Sequence, residues 1–282
     1  MSPDAFLRWL AEPERAPLVM GVLNVTPDSF SDGAKWADPK AAVAHAREMV
    51  EAGADLIDIG GESTRPGAQR VEAGEQIRRV LPVVETLTRE IGGRCVLSID
   101  TTRAEVAKAA LDAGATLIND ISGAMDDAGI LGLAATRAAP IVLMHMQGQP
   151  ATMQVSPTYK DVVGEVKAFL AGRAEAAIRA GLPRERILLD PGIGFGKTAG
   201  HNFELLRNLN GLRELGYPLV LGTSRKGFIG RISGESEPSG RVFGTAASVA
   251  WCVANGAAVV RVHDVGPMGK VVRVVRAIMA GS

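Results

Sequence analysis

Three segments of this chain share one layout: "EAGADLIDI" from residue 51, "DAGATLIND" from 112 and "ANGAAVVRV" from 254. In each, a helical pattern closes on Gly-Ala and passes directly into an apolar run. Glycine just beyond a helix end supplies the left-handed cap. A continuous apolar run of about four to six residues reads as a strand buried on both faces, as in a parallel sheet. The segments are helix-to-strand joints, and their recurrence implies βα units laid side by side.

Apolar runs near 18–23, 95–99, 140–144, 186–189 and 217–221 continue the alternation. Helical periods are expected near 39–52, 72–91, 103–113, 126–137, 159–180, 202–214, 243–255 and 267–280. Asp38-Pro39 places a capping carboxylate before a proline at the first helical position, and Thr102-x-x-Glu105 fits a capping box. Eight strands and eight helices in strict alternation predict an α/β fold, a single (β/α)8 TIM barrel with its active site at the C-terminal ends of the strands. A doubly wound sheet would need a topological switch, and the pattern offers none. At 282 residues and 46% hydrophobic content the chain can fill such a core. The barrel domain is expected over 18–282, with 1–17 an extension beside the mouth or the floor and "ISGESEPSG" at 232–240 a loop.

Formal net charge is +0 and no basic block occurs, which argues against nucleic acid and anionic membranes as partners and for small molecules. No apolar run approaches the roughly 20 residues of a membrane span. The N-terminus lacks a basic n-region and a long apolar h-region, and Cys95 and Cys252 form no paired motif, so a cytoplasmic location is expected.

In such barrels chemistry sits on the loops after the strands. The predicted strand ends form a polar ring: Asn24, Asp58, Asp100, Asn119-Asp120, His145, Asp190, the segment "GTSRKG" at 222–227, and Arg261 with His263. The stretch "DPGIGFGKT" at 190–198 ends like a phosphate-cradling loop, but that pattern needs glycine where Pro191 stands. Its glycines are also one residue too close for a dinucleotide fingerprint. It reads instead as a strand-end carboxylate backed by a glycine-rich loop.

Asp100, Asn119, Asp190 and Lys226 offer acceptors, an amide and a cation, an array suited to a flat polar heterocycle whose adjacent N–H groups a carboxylate can accept. Taken singly, each could instead be a structural ion-pair member. Arg261 and His263 lie two apart on one strand, so they point the same way and suit an anion such as phosphate. The alternative pairs Arg261 with Asp264 or Asp28. Asn24 is an oxygen donor of a kind Mg²⁺ accepts beside waters and phosphates, or a turn former before Thr26-Pro27. "GTSRKGFIG" is expected to open a helix, with the Ser224 and Arg225 N–H groups facing a carboxylate. "NVTPDSFSDG" and "GGESTRPGAQR" are longer than a barrel needs and read as lids. His45 and His201 read as solvated, and no clustered Cys/His metal site is present.

"MGVLNVTPDSFSDG", "GGESTRPG", "SIDTT", "NDISG", "MHMQGQPATMQ", "DPGIGFGK", "LGTSRKGFIG", "GTAA" and "RVHDV" together resemble, in order, the motifs of the dihydropteroate synthase family, from about residue 18 onward. The resemblance implies condensation of 6-hydroxymethyl-7,8-dihydropterin diphosphate with 4-aminobenzoate, releasing pyrophosphate and giving 7,8-dihydropteroate. It implies a pterin site at Asp100, Asn119, Met144, Asp190 and Lys226, and a diphosphate site at Asn24, Arg261 and His263 with Mg²⁺ on Asn24. It further implies a 4-aminobenzoate site at Phe30, Thr64, Arg65, Pro66, Phe195, Gly222 and Ser224. Asp32, Lys226 and Arg261 are the expected catalytic groups, sulfonamides the expected inhibitors and a homodimer the expected assembly. Ala34 stands where the family usually has a second glycine after "SDG". Two other functions fit parts of the pattern: a methyltetrahydrofolate-dependent methyltransferase, which would not need Arg261-x-His263, and a silent pterin-binding paralogue.

Overall fold

The computed structural model describes residues 1–12, 15–26, 39–64, 67–91 and 93–281. Eight strands, β1 (Leu18–Asn24), β2 (Leu56–Gly60), β3 (Val96–Asp100), β4 (Leu117–Asp120), β5 (Ile141–Met144), β6 (Ile187–Asp190), β7 (Val220–Leu221) and β8 (Val259–Val262), pair in parallel in the order 6-5-4-3-2-1-8-7. A single parallel bridge between Leu189 and Leu219 joins β6 to β7 and completes the barrel. The expected (β/α)8 architecture is present.

Side chains on successive strand residues point to opposite faces. One parity, exemplified by Ile57, Ile59, Leu97, Ile99, Ile118 and Leu143, packs outward against the helices in the main core cluster. The other parity points inward and changes character along the barrel axis. At the N-terminal ends it is apolar, with Leu18, Met20, Leu56, Val96, Leu117, Val142, Leu188, Val220 and Val259 in one cluster. At the C-terminal ends the same parity delivers Asn24, Asp58, Asp100, Asn119, Asp190 and Arg261.

The N-terminal segment closes the floor. Helix α1 (Pro3–Ala11) is capped by Ser2, whose hydroxyl accepts from Ala5 N at 3.2 Å. Its buried residues Phe6, Trp9 and Leu10 join the inward apolar cluster, each such side chain contributing roughly 1.5–3 kcal/mol of transfer free energy. Trp9 Nε1 donates to Ala16 O at 2.8 Å, which satisfies the indole in its buried position.

The recurrent joints form as expected. Gly53, Gly114 and Gly256 all take positive φ, and the next residue donates back to the helix, Ala54 N to Met49 O, Ala115 N to Ala110 O and Ala257 N to Cys252 O, each at 2.9 Å. Ala138 does the same work at φ 46 without being glycine.

Several helix ends differ from expectation. After α2 (Pro39–Glu51) and α3 (Ala73–Ile91), helix α4 (Ala104–Asp112) is not started by a Thr102 capping box. Its first N–H, on Ala104, goes to Asp127 Oδ2 at 2.8 Å, a carboxylate brought from the next loop by tertiary folding. Helices α5 (Gly129–Arg137) and α6 (Val162–Arg179) fall within the expected spans, and the segment expected near 202–214 divides into α7 (Ala199–Arg207) and α8 (Leu209–Arg213). His201 is the third residue of α7 and takes part in a reciprocal cap with Thr198. Three further helices, α9 (Gly227–Ser233), α10 (Val242–Ala254) and α11 (Val265–Ala280), complete the ring.

Candidate active site

The inward polar parity at the C-terminal rim surrounds a cavity of about 800 Å³. Of the residues singled out from sequence, Asn24, Thr64, Asn119, Met144, Asp190, Phe195, Gly222, Ser224, Lys226, Arg261 and His263 all line it. Phe30, Asp32, Arg65 and Pro66 lie outside the described residues.

Asp100 is placed behind Arg261 rather than at the cavity wall. The guanidinium of Arg261 spans two carboxylates, Nε donating to Asp58 Oδ2 and Nη2 to Asp100 Oδ2, both at 2.7 Å. Arg261 therefore pairs across the barrel with β2 and β3, and Asp264 is instead held by Arg225, Nε and Nη2 reaching its two oxygens at 3.0 and 2.6 Å. Asp58, fully buried, also accepts from Ser98 Oγ at 2.6 Å and Asn119 Nδ2 at 2.8 Å. One donor of the Asn119 amide is thus committed to the barrel wall, which sets how that amide faces the cavity. Burial and the neighbouring Asp58 charge push the Asp100 carboxyl up, against the pull of Arg261.

Asp190 stands beside Met144 in the register of β5 and β6. Its Oδ1 accepts from Gly192 N at 2.7 Å. Burial raises its pKa to about 6, opposed by that backbone bond and then by Lys226. Lys226 lies over the Phe195 ring, 4.0 Å from its centroid, and burial lowers its pKa to about 8, followed by repulsion from Arg261. Ile121, Met144, Met153 and Phe195 form an apolar cluster on this side of the cavity, giving a flat ring a face to rest against.

The "DPGIGFGK" loop is the reverse of a phosphate cradle. Gly192, Gly194 and Gly196 all have positive φ, and a Cβ on Gly192 would sit 1.9 Å from His145 O. The loop's N–H groups are used internally, Gly192 by Asp190, Gly194 by Asn202 Oδ1 and Phe195 by Gly192 O. Its carbonyls turn instead toward its own lysine. Lys197 Nζ donates to Gly192 O and Phe195 O at 3.0 Å and to His145 O at 3.4 Å, and meets His145 Nδ1 at 2.9 Å. Burial, then the lysine charge, pushes the His145 pKa down to about 3, and burial lowers that of Lys197 to about 7, so a neutral imidazole accepts from the lysine Nζ.

Across the cavity, the "GTSRKG" segment does not present Ser224 and Arg225 as a helix N-terminus. Helix α9 starts at Gly227, Arg225 has φ 58, and Arg225 N donates to Thr245 Oγ1 at 3.1 Å. Ser224 contributes through its hydroxyl, which takes the His263 N–H at 3.2 Å and lies 3.1 Å from His263 Nδ1. Burial, then Arg261, holds the His263 pKa down near 3, leaving a neutral ring and giving Arg261 the cationic role at this end.

The sequence pattern missed Asp58 as an organiser, Lys197 as a buried pin and Met153 as a wall. Asp58 had a strand-end signal; Lys197 had only the mismatch of a phosphate-loop ending without its first glycine.

The Pterin binding enzyme family matches residues 20–263. A dihydropteroate synthase of Synechocystis sp. is 49% identical over 260 residues, covering 92% of this chain and 89% of its own. The solved structure of the Xanthomonas albilineans dihydropteroate synthase with 4-aminobenzoic acid superposes with a TM-score of 0.87 at 46% identity, covering 94% and 93% of the two chains. The Yersinia pestis dihydropteroate synthase in complex with a sulfonamide drug gives 0.89 at 44%, covering 94% and 95%.

Proposed function

The chain belongs to the dihydropteroate synthase family of pterin-binding enzymes, and from that membership and the polar ring we propose how it joins 6-hydroxymethyl-7,8-dihydropterin diphosphate to 4-aminobenzoate with loss of pyrophosphate. The observation that carries the assignment of roles is the convergence of Asp190, Asn119, Lys226, Arg261 and Ser224 on one cavity from three strands and the segment after β7.

The pterin lies against Met144 and Phe195. Asp190 keeps lone pairs on both oxygens beyond its bond to Gly192, enough to accept the paired N–H groups of the aminopyrimidinone edge. Asn119 meets another edge with its amide tethered to Asp58, and Lys226 supplies a cation above the ring. Arg261 faces the diphosphate, releasing Asp100 toward the pterin as it turns, and His263 adds a neutral donor. 4-Aminobenzoate lies with its carboxylate at Ser224 and its ring on Phe195, with Gly222 and Thr64 beside it; the family resemblance gives Phe30, Arg65 and Pro66 a role toward the same substrate and Asp32 one toward developing positive charge, all four outside the described residues.

Mg²⁺ fits a site with one neutral protein oxygen. Asn24 lines the cavity at the end of β1, and among the described residues no cluster of three His, Cys, Asp or Glu forms a metal cage, which suits an ion held chiefly by waters and substrate phosphates. When bound, it neutralises charge on the departing diphosphate. The C–O bond breaks as Arg261 takes up the charge on the leaving oxygens, the dihydropterin delocalises the cation left behind, and the amine attacks the methylene carbon and gives up one N–H proton to the released pyrophosphate or to water. Positioning and exclusion of water suffice, with no covalent nucleophile.

We also propose a homodimer, supported by the exposed Phe243, Trp251, Val274 and Ile278 of α10 and α11, and a cytoplasmic setting, in which the buried, unpaired Cys95 and Cys252 stay reduced. Among the described residues no helix is long and apolar enough to cross a membrane. The test is an assay with Mg²⁺, the dihydropterin diphosphate and labelled 4-aminobenzoate. Pyrophosphate and labelled dihydropteroate forming together, with sulfonamide inhibition relieved by added 4-aminobenzoate, is the expected result. Tight binding of the diphosphate without product would indicate a silent paralogue, and methyl transfer from a folate would indicate the methyltransferase.

A further inference from the structure

We infer that Lys197 is a positioning residue for 4-aminobenzoate: its buried Nζ fixes the backbone that carries Phe195, and it acts on the second substrate through that ring. The inference rests on the condensation proposed above and assigns a role to a buried cation that the chemistry itself does not use.

Phe195 sits between Gly194 at φ 83 and Gly196 at φ 60, the residue type with the widest backbone freedom on either side. It is one loop beyond the strand, so no ladder hydrogen bond holds it. Its own backbone has two restraints, Phe195 N to Gly192 O and Phe195 O to Lys197 Nζ, both at 3.0 Å. The same ammonium also holds Gly192 O and both acceptors of His145, so it ties the loop after β6 to the end of β5. Two further bonds clasp the loops together, Gln154 Nε2 to Gly194 O and Tyr159 OH to Gly196 O, both at 2.8 Å, but neither touches Phe195 itself. Asp190 is restrained by the pairing of β6 with β5, which does not pass through Lys197, and only its bond from the Gly192 N–H shares a residue with the pin. Loss of the ammonium should therefore loosen the aromatic wall while leaving the pterin-gripping carboxylate in place. An electrostatic role acting on Asp190 makes the opposite forecast, a loss concentrated on the pterin.

The experiment compares wild type with Lys197→Met, a near-isostere without donors, in steady state with each substrate varied. The expected result is a KM for 4-aminobenzoate raised about tenfold or more, with the KM for the pterin diphosphate and the saturated kcat each within about threefold. In a Phe195→Ala background the same substitution should add less than about twofold, since both changes act on one wall. Amide hydrogen exchange should quicken at residues 192–197 and stay unchanged in the β3 and β4 strands. Equal rises in both KM values, a rise confined to the pterin, or unchanged kinetics would each overturn the proposal. If Lys197→Met does not fold, His145→Phe keeps a ring against Phe169 and removes the Nδ1 acceptor while leaving the Gly192 and Phe195 carbonyls to Nζ; a smaller rise selective for 4-aminobenzoate supports the pin, and a rise confined to the pterin refutes it. A wild type that makes no dihydropteroate fails the condensation reading, and loop exchange in the variant together with 4-aminobenzoate affinity by calorimetry then decides the lysine's role alone.

Discussion

The two ends of the barrel are built from the same inward parity and have opposite chemistry. At the floor, every inward side chain is apolar and α1 inserts Phe6, Trp9 and Leu10 among them, so burial there is stabilising without compensation. At the mouth, the inward positions beyond them carry Asp58, Asp100, Asn119, Asp190 and Arg261, polar and charged groups taken out of water and satisfied by one another, by Ser98 and by the Gly192 N–H. Such groups add little net stability. Apolar burial at the floor and between strands and helices carries the fold, which leaves the open end able to hold an arrangement selected for ligands.

Substitutions should separate the ends. The largest effect is expected for Arg261→Ala, which strands Asp58 and Asp100 together and removes the diphosphate's cation. A loss of about 3–5 kcal/mol in stability and at least about 100-fold in kcat/KM should appear in denaturant melts and steady-state rates. Unchanged stability would mean that the carboxylates do not depend on this clamp. Phe6→Ala should cost about 3–5 kcal/mol in stability with both KM values intact at low temperature; altered KM values would show that floor and mouth are not independent.

The pH dependence should arise mainly at the mouth. The folded pKa of His145 lies near 3 against 6.5, so the unfolded state binds the extra proton between those values. Its contribution is complete above pH 6.5 and is lost as pH falls toward 3, about 2 kcal/mol of it by pH 5. His145→Phe should flatten the fall in melting temperature between pH 7 and 5; a parallel fall would place the acid sensitivity elsewhere. Asp190 near 6 and Lys226 near 8 are both charged only between those values, so kcat/KM should peak there and fall about tenfold per unit outside. A flat profile from pH 5 to 9 would remove those groups from pterin recognition.

The smallest effect concerns the joints that unite both ends. Ala138 holds a left-handed position that glycine occupies at Gly53, Gly114 and Gly256. Ala138→Gly should stabilise by about 0.5–1 kcal/mol in thermal melts, and a lower melting temperature would show that its methyl packs usefully.

Much of the site was legible because a βα barrel converts strand-end identity into spatial convergence. Asn119, Asp190, Lys226 and Arg261 are far apart in the chain, yet alternation and strand order suffice to bring them to one rim. The misreadings have a common cause. Thr102 with Glu105 matched a capping box, and Ser224 with Arg225 matched a helix start, by local spacing; a carboxylate from another loop, Asp127, and the hydroxyl of Thr245 took those N–H groups instead. For Asp100 the spacing along the chain did not show its bond to Arg261, and its place at the pterin belongs to the proposed function.

By itself the sequence determined the βα repeat, the barrel and the residues that end each strand, because hydrophobic period and glycine caps are local properties that propagate into one topology. It left open whether residues 1–17 lie at the mouth or the floor, and it could not assign Lys197 a task. Those were decided by tertiary structure, since a plug and a pin are defined by what surrounds them. The apolar face of α1 needed the open end of a barrel, and the ammonium of Lys197 needed carbonyls from two loops that meet only once β5 and β6 are paired.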